Sequence, residues 1–313
     1  MPDTSAVHFD VALTNVSIAY RNSAFIAPQI APEVQVRRQS DRYFIYDSEQ
    51  EAFRSTGDGR APGAEASEVD FALSSDSYYC DDHALESVVP DEERENSDSP
   101  LQPEIDRVEF LTDKILLNQE IALAAKLRNS AVIPYQNLGD ASAVWTDPAV
   151  DPAEKIELAK SAILTAVQQL PNTLVLPYAV YSALRNHPKV VERVKYSSLG
   201  VVGSGTLAEL FDIERVLIAR AAKNIAARGQ APSMQSVWGN DAILMHVPTR
   251  VSLKSVAPAL TFVWSQAIGS SRGHGVQSWR EERRKAAMLR VQKYYDIKVV
   301  APKAAFILQD AIS

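Results

Sequence analysis

One glycine-rich segment has residue types that could hold a phosphate group. Residues 200–206 (GVVGSGT) precede a predicted helix at residues 206–211, and amides at a helix start can bind anions. The segment lacks a P-loop lysine, and its glycine order is the reverse of the dinucleotide-binding fingerprint. Ser204 makes an incomplete nucleophile elbow, because no strand directly precedes it and no histidine–acid pair can be assigned to it. We favour a plain loop, with an α/β enzyme using this loop as the alternative.

A second group of reactive residue types lies at Cys80, Asp81, Asp82 and His83. Consecutive residues of a strand point to opposite faces, so these four could not converge on one metal ion, and no second cluster completes a site. The acids of residues 91–93 lie in a predicted polar linker, where nothing apolar would raise a pKa for acid–base catalysis. The sequence therefore predicts no catalytic, cofactor-binding or metal-binding residues.

Length and composition favour one large or two modest domains with a sizeable core. The chain has 313 residues, is 46% hydrophobic and carries a net charge of −7, which argues against a general nucleic-acid binder. No apolar run approaches the ~20 residues of a membrane span, and the first residues do not resemble a secretory signal. The single Cys80 excludes an intrachain disulfide and fits intracellular synthesis.

The charges are unevenly distributed along the chain. Residues 81–110 carry eleven acids against Arg94 and Arg107, a balance of −9, which leaves +2 for the rest of the chain. Residues 280–303 carry eight bases against three acids, a balance of +5. These segments are either two solvated faces or complementary surfaces that meet within one subunit or between neighbours.

The first eighty residues predict an arm and a projecting hairpin. Pro28 and Pro32 favour extended backbone in the arm, which would need another surface to cover its apolar residues. Residues 43–46 and a run from about residue 71 to residue 80 favour strands around a Gly/Pro-rich tip. This hairpin has little apolar material of its own to bury.

Helical spacing then predicts a long helix of about 26 residues that ends near Arg128, with N-cap oxygens offered by residues 97–99. A second helix begins at Asp151-Pro152 and ends at residues 171–172, before a buried strand at residues 173–176. Further helices are predicted at residues 178–185 and 188–195. Strands are predicted at residues 215–218, 237–238, 242–247, 260–264, 297–300 and 305–308, with a glycine-rich tip at residues 269–275.

The order of these parts resembles the major capsid proteins of tailed bacteriophages, which share the Hong Kong 97-type fold with encapsulin shells. The amino-acid sequences of several segments are similar to those of one branch of phage coat proteins. These segments are residues 13–22 (LTNVSIAYRN), 25–27 (FIA), 43–47 (YFIYD), 60–63 (RAPG), 89–92 (VPDE), 171–176 (PNTLVL) and 299–302 (VVAP). The resemblance covers nearly the whole chain, and the shared order of the segments is more specific than any one of them.

The resemblance implies an α+β Hong Kong 97-like capsid fold with the following parts. These are an N-terminal arm on a neighbour (1–40), an E-loop hairpin (41–80), the linker and spine helix of the P domain (81–130), an α/β A domain (131–245), the P-domain strands and tip (246–298), and a return strand to the A domain (299–313). The arm and hairpin would then bury their apolar faces only on neighbours, and the −9 and +5 segments become candidates for intersubunit pairing.

In function, the resemblance implies a structural protein that is not an enzyme and has no cofactor. It would self-assemble through hexamers and pentamers into an icosahedral shell around double-stranded phage DNA. Implied partners are a portal protein and possibly separate scaffolding and decoration proteins, with no membrane. The chain would be assembled in the bacterial host cytoplasm and reside in the virion. Because residues 41–80 contain no lysine, we expect no lysine–asparagine crosslink from the hairpin. An encapsulin-like cargo shell is the alternative.

Overall fold

The structure is a computed structural model. It describes residues 8–9, 13–14, 16–17, 24–46, 55, 57–63, 65–66, 68, 73–97, 102–139, 144–195, 202–251, 255–267 and 273–312. The strands within these ranges are β1 His8–Phe9, β2 Glu33–Val36, β3 Ser40–Tyr46, β4 Leu73–Tyr79, β5 Asp81–Pro90, β6 Tyr135–Asn137, β7 Thr173–Pro177, β8 Arg215–Ala219, β9 Ala222–Asn224, β10 Met234–Ser236, β11 Ala242–Met245, β12 Ala259–Trp264, β13 His274–Glu281, β14 Ala286–Val299 and β15 Ala305–Gln309. The helices are α1 Ala27–Ile30, α2 Asp91–Glu95, α3 Pro103–Leu127, α4 Pro152–Val167, α5 Tyr178–Arg185, α6 Pro188–Val194 and α7 Ser204–Leu210.

The first of two main sheets is organised around the 14-residue strand β14. Its path runs β1-β13-β14-β12-β2, and β5 pairs with the opposite edge of β14. Strand β14 alternates buried and partly buried residues along most of its length, as expected for a strand between a core and a more open face. This sheet therefore joins segments from the beginning, the first third and the end of the chain.

Residues 81–90 were predicted as part of a polar linker, and that prediction is wrong. They form strand β5, whose ten residues pair antiparallel with residues 286–295 of β14. Along β5 the more buried positions alternate with exposed ones, and Val89 is fully buried beside the long helix. The acids that suggested a linker occupy mainly exposed positions, because every second strand residue faces away from the core.

The arm prediction also needs correction for residues 24–36. Pro28 lies in the first turn of α1, where proline is tolerated, so it does not prevent a helix there. Ile26 and Ile30 are buried in the core of the same chain, and β2 pairs in parallel with β12. This segment covers its apolar side chains within its own subunit and needs no neighbour to do so.

The predicted hairpin is present. Strands β3 and β4 pair antiparallel from Ser40↔Tyr79 to Tyr46↔Leu73, and most of their described side chains are exposed. At its base, Tyr78 stacks on Phe262 with ring centroids 4.7 Å apart. The hairpin is thus anchored at one end and extends beyond the main sheet at the other.

Helix α3 closely matches the predicted long helix. Its 25 residues span about 38 Å, and Pro103 occupies its first turn. The N-cap prediction is wrong. The cap is Gln102 without a side-chain hydrogen bond, Ser97 donates instead to the carbonyl of Arg94, and residues 98–99 lie outside the described part. The first half of α3 packs on β5, β13 and β14, and the second half packs on both main sheets.

The second main sheet has the order β6-β15-β11-β7-β8. Both of its faces are covered, because neighbouring residues of its central strands enter different cores. Leu174 and Leu176 lie in the core that helices α4 to α7 line, whereas Val175 between them lies in the core shared with α3. Strands β11 and β15 alternate in the same way. This sheet and its helices form the predicted α/β lobe.

Local signals in this lobe are mostly confirmed. Asp151 caps α4 by accepting a hydrogen bond from the amide of Ala153 at 3.1 Å. Helix α4 ends earlier than predicted, since Gln168 adopts a left-handed conformation directly after Val167. The prediction of a strand at residues 237–238 is wrong. Trp238 lies in a turn that buries its indole against α3.

Candidate functional site

The cysteine–histidine segment has no nucleophile or metal site. Cys80 is fully buried between β4 and β5, its Sγ lies 3.5 Å from the carbonyl oxygen of Phe262, and burial raises the pKa of its thiol to about 11. His83 stacks on Tyr295 at 4.0 Å, and burial lowers its pKa. Across the described residues, no group of three or more His, Cys, Asp or Glu side chains is placed to hold a metal ion.

The glycine-rich segment is only partly described, since residues 200–201 lie outside the described part. Gly203 is the N-cap of α7, which has seven residues. A Cβ atom at Gly203 or Gly205 would have no heavy atom within 4 Å, so neither glycine is required by a close contact in the structure. The segment shows no feature that favours phosphate binding over a plain loop.

A buried serine–histidine contact was not predicted from the sequence. Ser17 Oγ lies 2.6 Å from His274 Nε2 and 2.5 Å from Thr112 Oγ1. Ser17, Thr112 and His274 are all buried. Burial and the neighbouring Lys293 ammonium lower the pKa of His274 to about 4, so its ring is neutral at pH 7. The contact ties residue 17 to α3 and β13 in a place without solvent access, which fits a structural role.

A buried lysine that pairs with a more exposed glutamate lies close to this contact. Lys293 Nζ lies 2.6 Å from Glu33 Oε1 and 3.2 Å from Gln119 Oε1. A buried ammonium without a partner would be costly, and here it has both a carboxylate and an amide oxygen. The pair fixes β2 to β14 and to the middle of α3.

Several of the segregated charges pair within the subunit. Arg280 makes two hydrogen bonds to Asp91, at 3.0 and 2.8 Å, and the pKa of Asp91 is lowered mainly by this contact. Arg290 lies directly opposite Glu86 across the β5–β14 pair, with its Nε 2.6 Å from Glu86 Oε1. The acidic and basic segments therefore meet at least partly within one chain. The sequence alone left this possibility open.

A buried carboxylate links the N-terminal region to the rest of the subunit. Glu120 on α3 is fully buried and accepts hydrogen bonds from the amides of Ile26 and Ala27, at 3.1 and 2.7 Å. Its other oxygen accepts a hydrogen bond from the indole of Trp238. Sequence analysis missed it, because Glu120 looked like an ordinary polar residue of a long helix.

Large apolar side chains are exposed in several separate places. On the hairpin, Phe44 and Tyr79 are each 54% exposed. On the first half of α3, Phe110 is 55% exposed, with Lys114 Nζ 5.3 Å from its ring centroid. On β10, Met234 is 64% exposed. These side chains are scattered singly rather than gathered in one patch, so their exposure alone does not identify a binding surface. Within the described ranges, no helix has the length and apolar character needed to cross a membrane.

Comparison with curated proteins identifies two phage relatives. The chain is 29% identical over 311 residues to the major capsid protein of Pseudomonas phage JBD67, with 97% of each chain covered. It is 30% identical over 242 residues to the major capsid protein of Burkholderia phage BcepMu, with 76% of each chain covered. A search against models of protein families finds no match.

Solved structures agree in fold. A phage-related protein from Bordetella bronchiseptica RB50 superposes with a TM-score of 0.76 at 24% identity, over 97% of both chains. The capsid of cyanophage P-SCSP1u gives a TM-score of 0.60 at 12% identity over 93% of this chain and 89% of that one. The SrpI encapsulin of Synechococcus elongatus PCC 7942 gives 0.53 at 11% identity over 96% and 95%. These structures confirm the α+β, Hong Kong 97-like capsid fold predicted from the sequence.

The two curated relatives extend over most or nearly all of the chain and have the same description. The solved phage capsids superpose on more than nine tenths of the chain. On this evidence, the chain belongs to the family of phage major capsid proteins.

Proposed function

We propose that the chain assembles through hexamers and pentamers into an icosahedral shell that encloses double-stranded phage DNA. The observation that carries this proposal is the end-to-end similarity to a phage major capsid protein over 97% of both chains. The projecting hairpin β3–β4 supports it, because Phe44 lies exposed on a segment that has no core of its own. In this proposal the chain functions through contacts between subunits rather than by catalysing a reaction.

The proposed roles of the parts follow the two sheets. Residues 41–80 act as the E-loop that reaches over the adjacent subunit. Residues 81–130 and 246–298 form the P domain, built on α3 and the sheet around β14. Residues 131–245 and 299–313 form the A domain around the five- and six-fold axes. Residues 1–40 act as the N-terminal arm. Of its described residues, 24–36 pack in their own subunit, His8–Phe9 pair with β13, and Ser17 is buried against α3 and β13.

The proposed partners are other copies of the chain, a portal protein, and separate scaffolding and decoration proteins. The net charge of −7 favours a shell that confines DNA without binding it tightly, because phosphate binding depends on a basic surface. The chain would assemble in the bacterial host cytoplasm and would remain in the virion.

The rival function within the same fold is an encapsulin-like shell around a protein cargo, which the structural similarity to SrpI encapsulin keeps open. The curated relatives favour the phage role, since both are phage major capsid proteins. The rival from another class is an enzyme that uses residues 200–206. A thermal shift with nucleotides that is lost in Gly203→Ala would support that enzyme.

The test is the content of particles purified from phage-producing cells. The particles are treated with nuclease, opened, and analysed for nucleic acid and for co-purifying proteins. Protected double-stranded DNA of uniform length supports the phage shell. Particles that hold one abundant protein and no protected DNA would favour the encapsulin-like alternative and contradict the proposal.

A further inference from the structure

The turn between β13 and β14 presents a concentrated positive charge to solvent. Glu282–Arg284 form one turn of 3-10 helix, followed by Lys285 in a left-handed conformation, and all four residues are exposed. Among the residues that the structure describes, no carboxylate lies within 4.0 Å of the guanidinium of Arg283 or Arg284. The neighbouring Arg280, by contrast, is fully engaged by Asp91 and Glu282.

An acidic surface lies directly beside this turn. Helix α2 begins where β5 ends, and the amide of Asp91 donates to the carbonyl of Lys285 at 3.0 Å. Asp91 pairs with Arg280, and Glu93 pairs with Arg107 at 3.1 Å. The structure gives no such partner within the described residues for Glu92 and Glu95, which are both exposed. We call residues 283–285 the basic turn, and Glu92 with Glu95 the acidic pair.

The two surfaces lie side by side on one subunit, yet their outward charges do not pair with each other. Asp91 and Glu93 face back toward Arg280 and Arg107, which leaves the acidic pair directed outward next to the basic turn. In a closed symmetric assembly, such neighbouring patches let the positive surface of one copy meet the negative surface of the next. Charge complementarity of this kind fixes register and excludes wrong pairings more than it adds affinity.

We propose that the basic turn of one subunit docks on the acidic pair of a second copy of this chain. The inference rests on the proposed self-assembly and adds the residues that make one of its contacts. Because the charges are exposed, the contact is screened by salt and acts mainly on register. Phosphate groups of packaged DNA are the competing occupant of the basic turn.

The test is a charge exchange in the full chain. One variant carries Arg283→Glu and Arg284→Glu, a second carries Glu92→Lys and Glu95→Lys, and a third combines all four. Arg283→Lys with Arg284→Lys keeps the charge and serves as the matched control. The protein concentration needed for assembly is measured by light scattering and electron microscopy at low and high salt. Unfolding midpoints confirm that each subunit still folds.

We expect each reversed variant to raise the concentration needed for assembly by about tenfold at low salt, a change of the size that a single contact can produce. The combined variant should assemble at a concentration within about threefold of that of the wild type. The lysine control should assemble at the same concentration as the wild type. Normal assembly of both reversed variants would overturn the docking and leave the shell proposal intact. The docking would also be overturned if the combined variant assembled no better than the two reversed variants.

The DNA alternative gives a separate outcome. If the Arg283→Glu/Arg284→Glu chain assembles normally and its shells lose only their salt-sensitive retention of DNA, the basic turn binds phosphate and the subunit contact is wrong. A wild-type chain that forms no assemblies, either alone or with a scaffolding protein, would instead count against the proposed function, and the docking would fall with it.

Discussion

Trp238 donates a hydrogen bond from its indole Nε1 to Glu120 Oε1 at 2.6 Å, in a position where both side chains are fully buried. The other carboxylate oxygen holds the amides of Ile26 and Ala27. A single side chain on α3 therefore joins the N-terminal segment to a turn just before β11. Burial raises the pKa of Glu120, and the three donors only partly offset this cost.

Replacing Glu120 is expected to destabilise the subunit. Glu120→Ala would leave three buried N–H groups without an acceptor and should lower the free energy of unfolding by about 3 kcal/mol. Glu120→Gln should lower the free energy of unfolding by less, because its amide keeps one acceptor oxygen. Some loss should remain, because its NH₂ group would face N–H donors. Chemical denaturation of the full chain measures both values.

The matched control for these variants is Glu109→Gln on the same helix, at a partly exposed position. It should change stability by less than about 0.5 kcal/mol. If Glu120→Ala were as mild as this control, the carboxylate would not be holding the N-terminal segment.

The buried His274 predicts a loss of stability in mild acid. The unfolded chain binds this proton near pH 6.5, whereas the folded chain binds it only near pH 4, so between these values the unfolded state holds more protons. Stability from this group should be complete above pH 6.5 and fall by about 3 kcal/mol as the pH drops to 4. The described polar groups around the ring or the adjacent ammonium are Ser17, Thr112, Lys293, Glu33 and Gln119.

The measurement compares urea denaturation at pH 7 and at pH 4.5. His274→Gln should be less stable at pH 7 and should show a flatter dependence on pH. His246→Gln, in which the replaced ring contacts only the carbonyl of Leu170 among the described groups, should keep the steep dependence of the wild type. If the free energy of unfolding changed equally with pH in all three proteins, His274 would not be the group that causes the loss of stability in acid.

Gly273 should tolerate no side chain. Its φ is +58°, and a Cβ there would lie 2.5 Å from the carbonyl oxygen of Trp264 and 2.8 Å from Val263 Cγ1. Both the left-handed conformation and the contact with backbone oppose alanine, so Gly273→Ala should cost about 2 kcal/mol or more. Thermal unfolding checks this against Gly59→Ala, which has open space, no left-handed backbone and no helix or strand around it, and should be nearly neutral. A neutral Gly273→Ala would mean that β12 and β13 do not approach this closely.

Shortening the hairpin should separate folding from assembly. Tyr46 and Leu73 are paired opposite each other, so residues 47–72 can be replaced by Asn-Gly, which closes a two-residue hairpin turn. Because the removed residues lie beyond the anchored base at Tyr78, the subunit should unfold at nearly the same temperature but form no shells. Shells of normal size from this variant would show that residues 47–72 are not needed between subunits.

The hairpin should also form no covalent link. The first lysine in the chain is Lys114, so residues 41–80 offer no amine for an isopeptide bond. We expect a single 34.4 kDa band when purified shells are boiled and run on a denaturing gel. A ladder of multiples of this mass would contradict a non-covalent shell.

Helices and strands with short-range sequence signals could be predicted from the sequence alone. The Asp151-Pro152 start of α4, the length of α3 and the buried strand β7 were predictable, because caps, helical spacing and short apolar runs act over a few residues. The hairpin was predictable from its β-favouring runs around a Gly/Pro-rich tip.

Features that depend on distant partners were not predictable. Strand β5 looked like a linker because its acids are balanced by residues about 200 positions later, as Glu86 is by Arg290. The role of Glu120 depends on Trp238 and on two backbone amides near residue 26. Tertiary contacts of this kind decide both the fold of the acidic segment and the hydrogen bonds by which Glu120 holds residues 26–27.

Self-assembly of the subunit is tested by expressing the full chain alone and examining it by size-exclusion chromatography and negative-stain electron microscopy. We expect closed shells or rings of capsomer size that elute far ahead of a 34.4 kDa monomer. A well-folded chain that remains monomeric at high concentration, and that still forms no shells when a scaffolding protein is supplied, would contradict it.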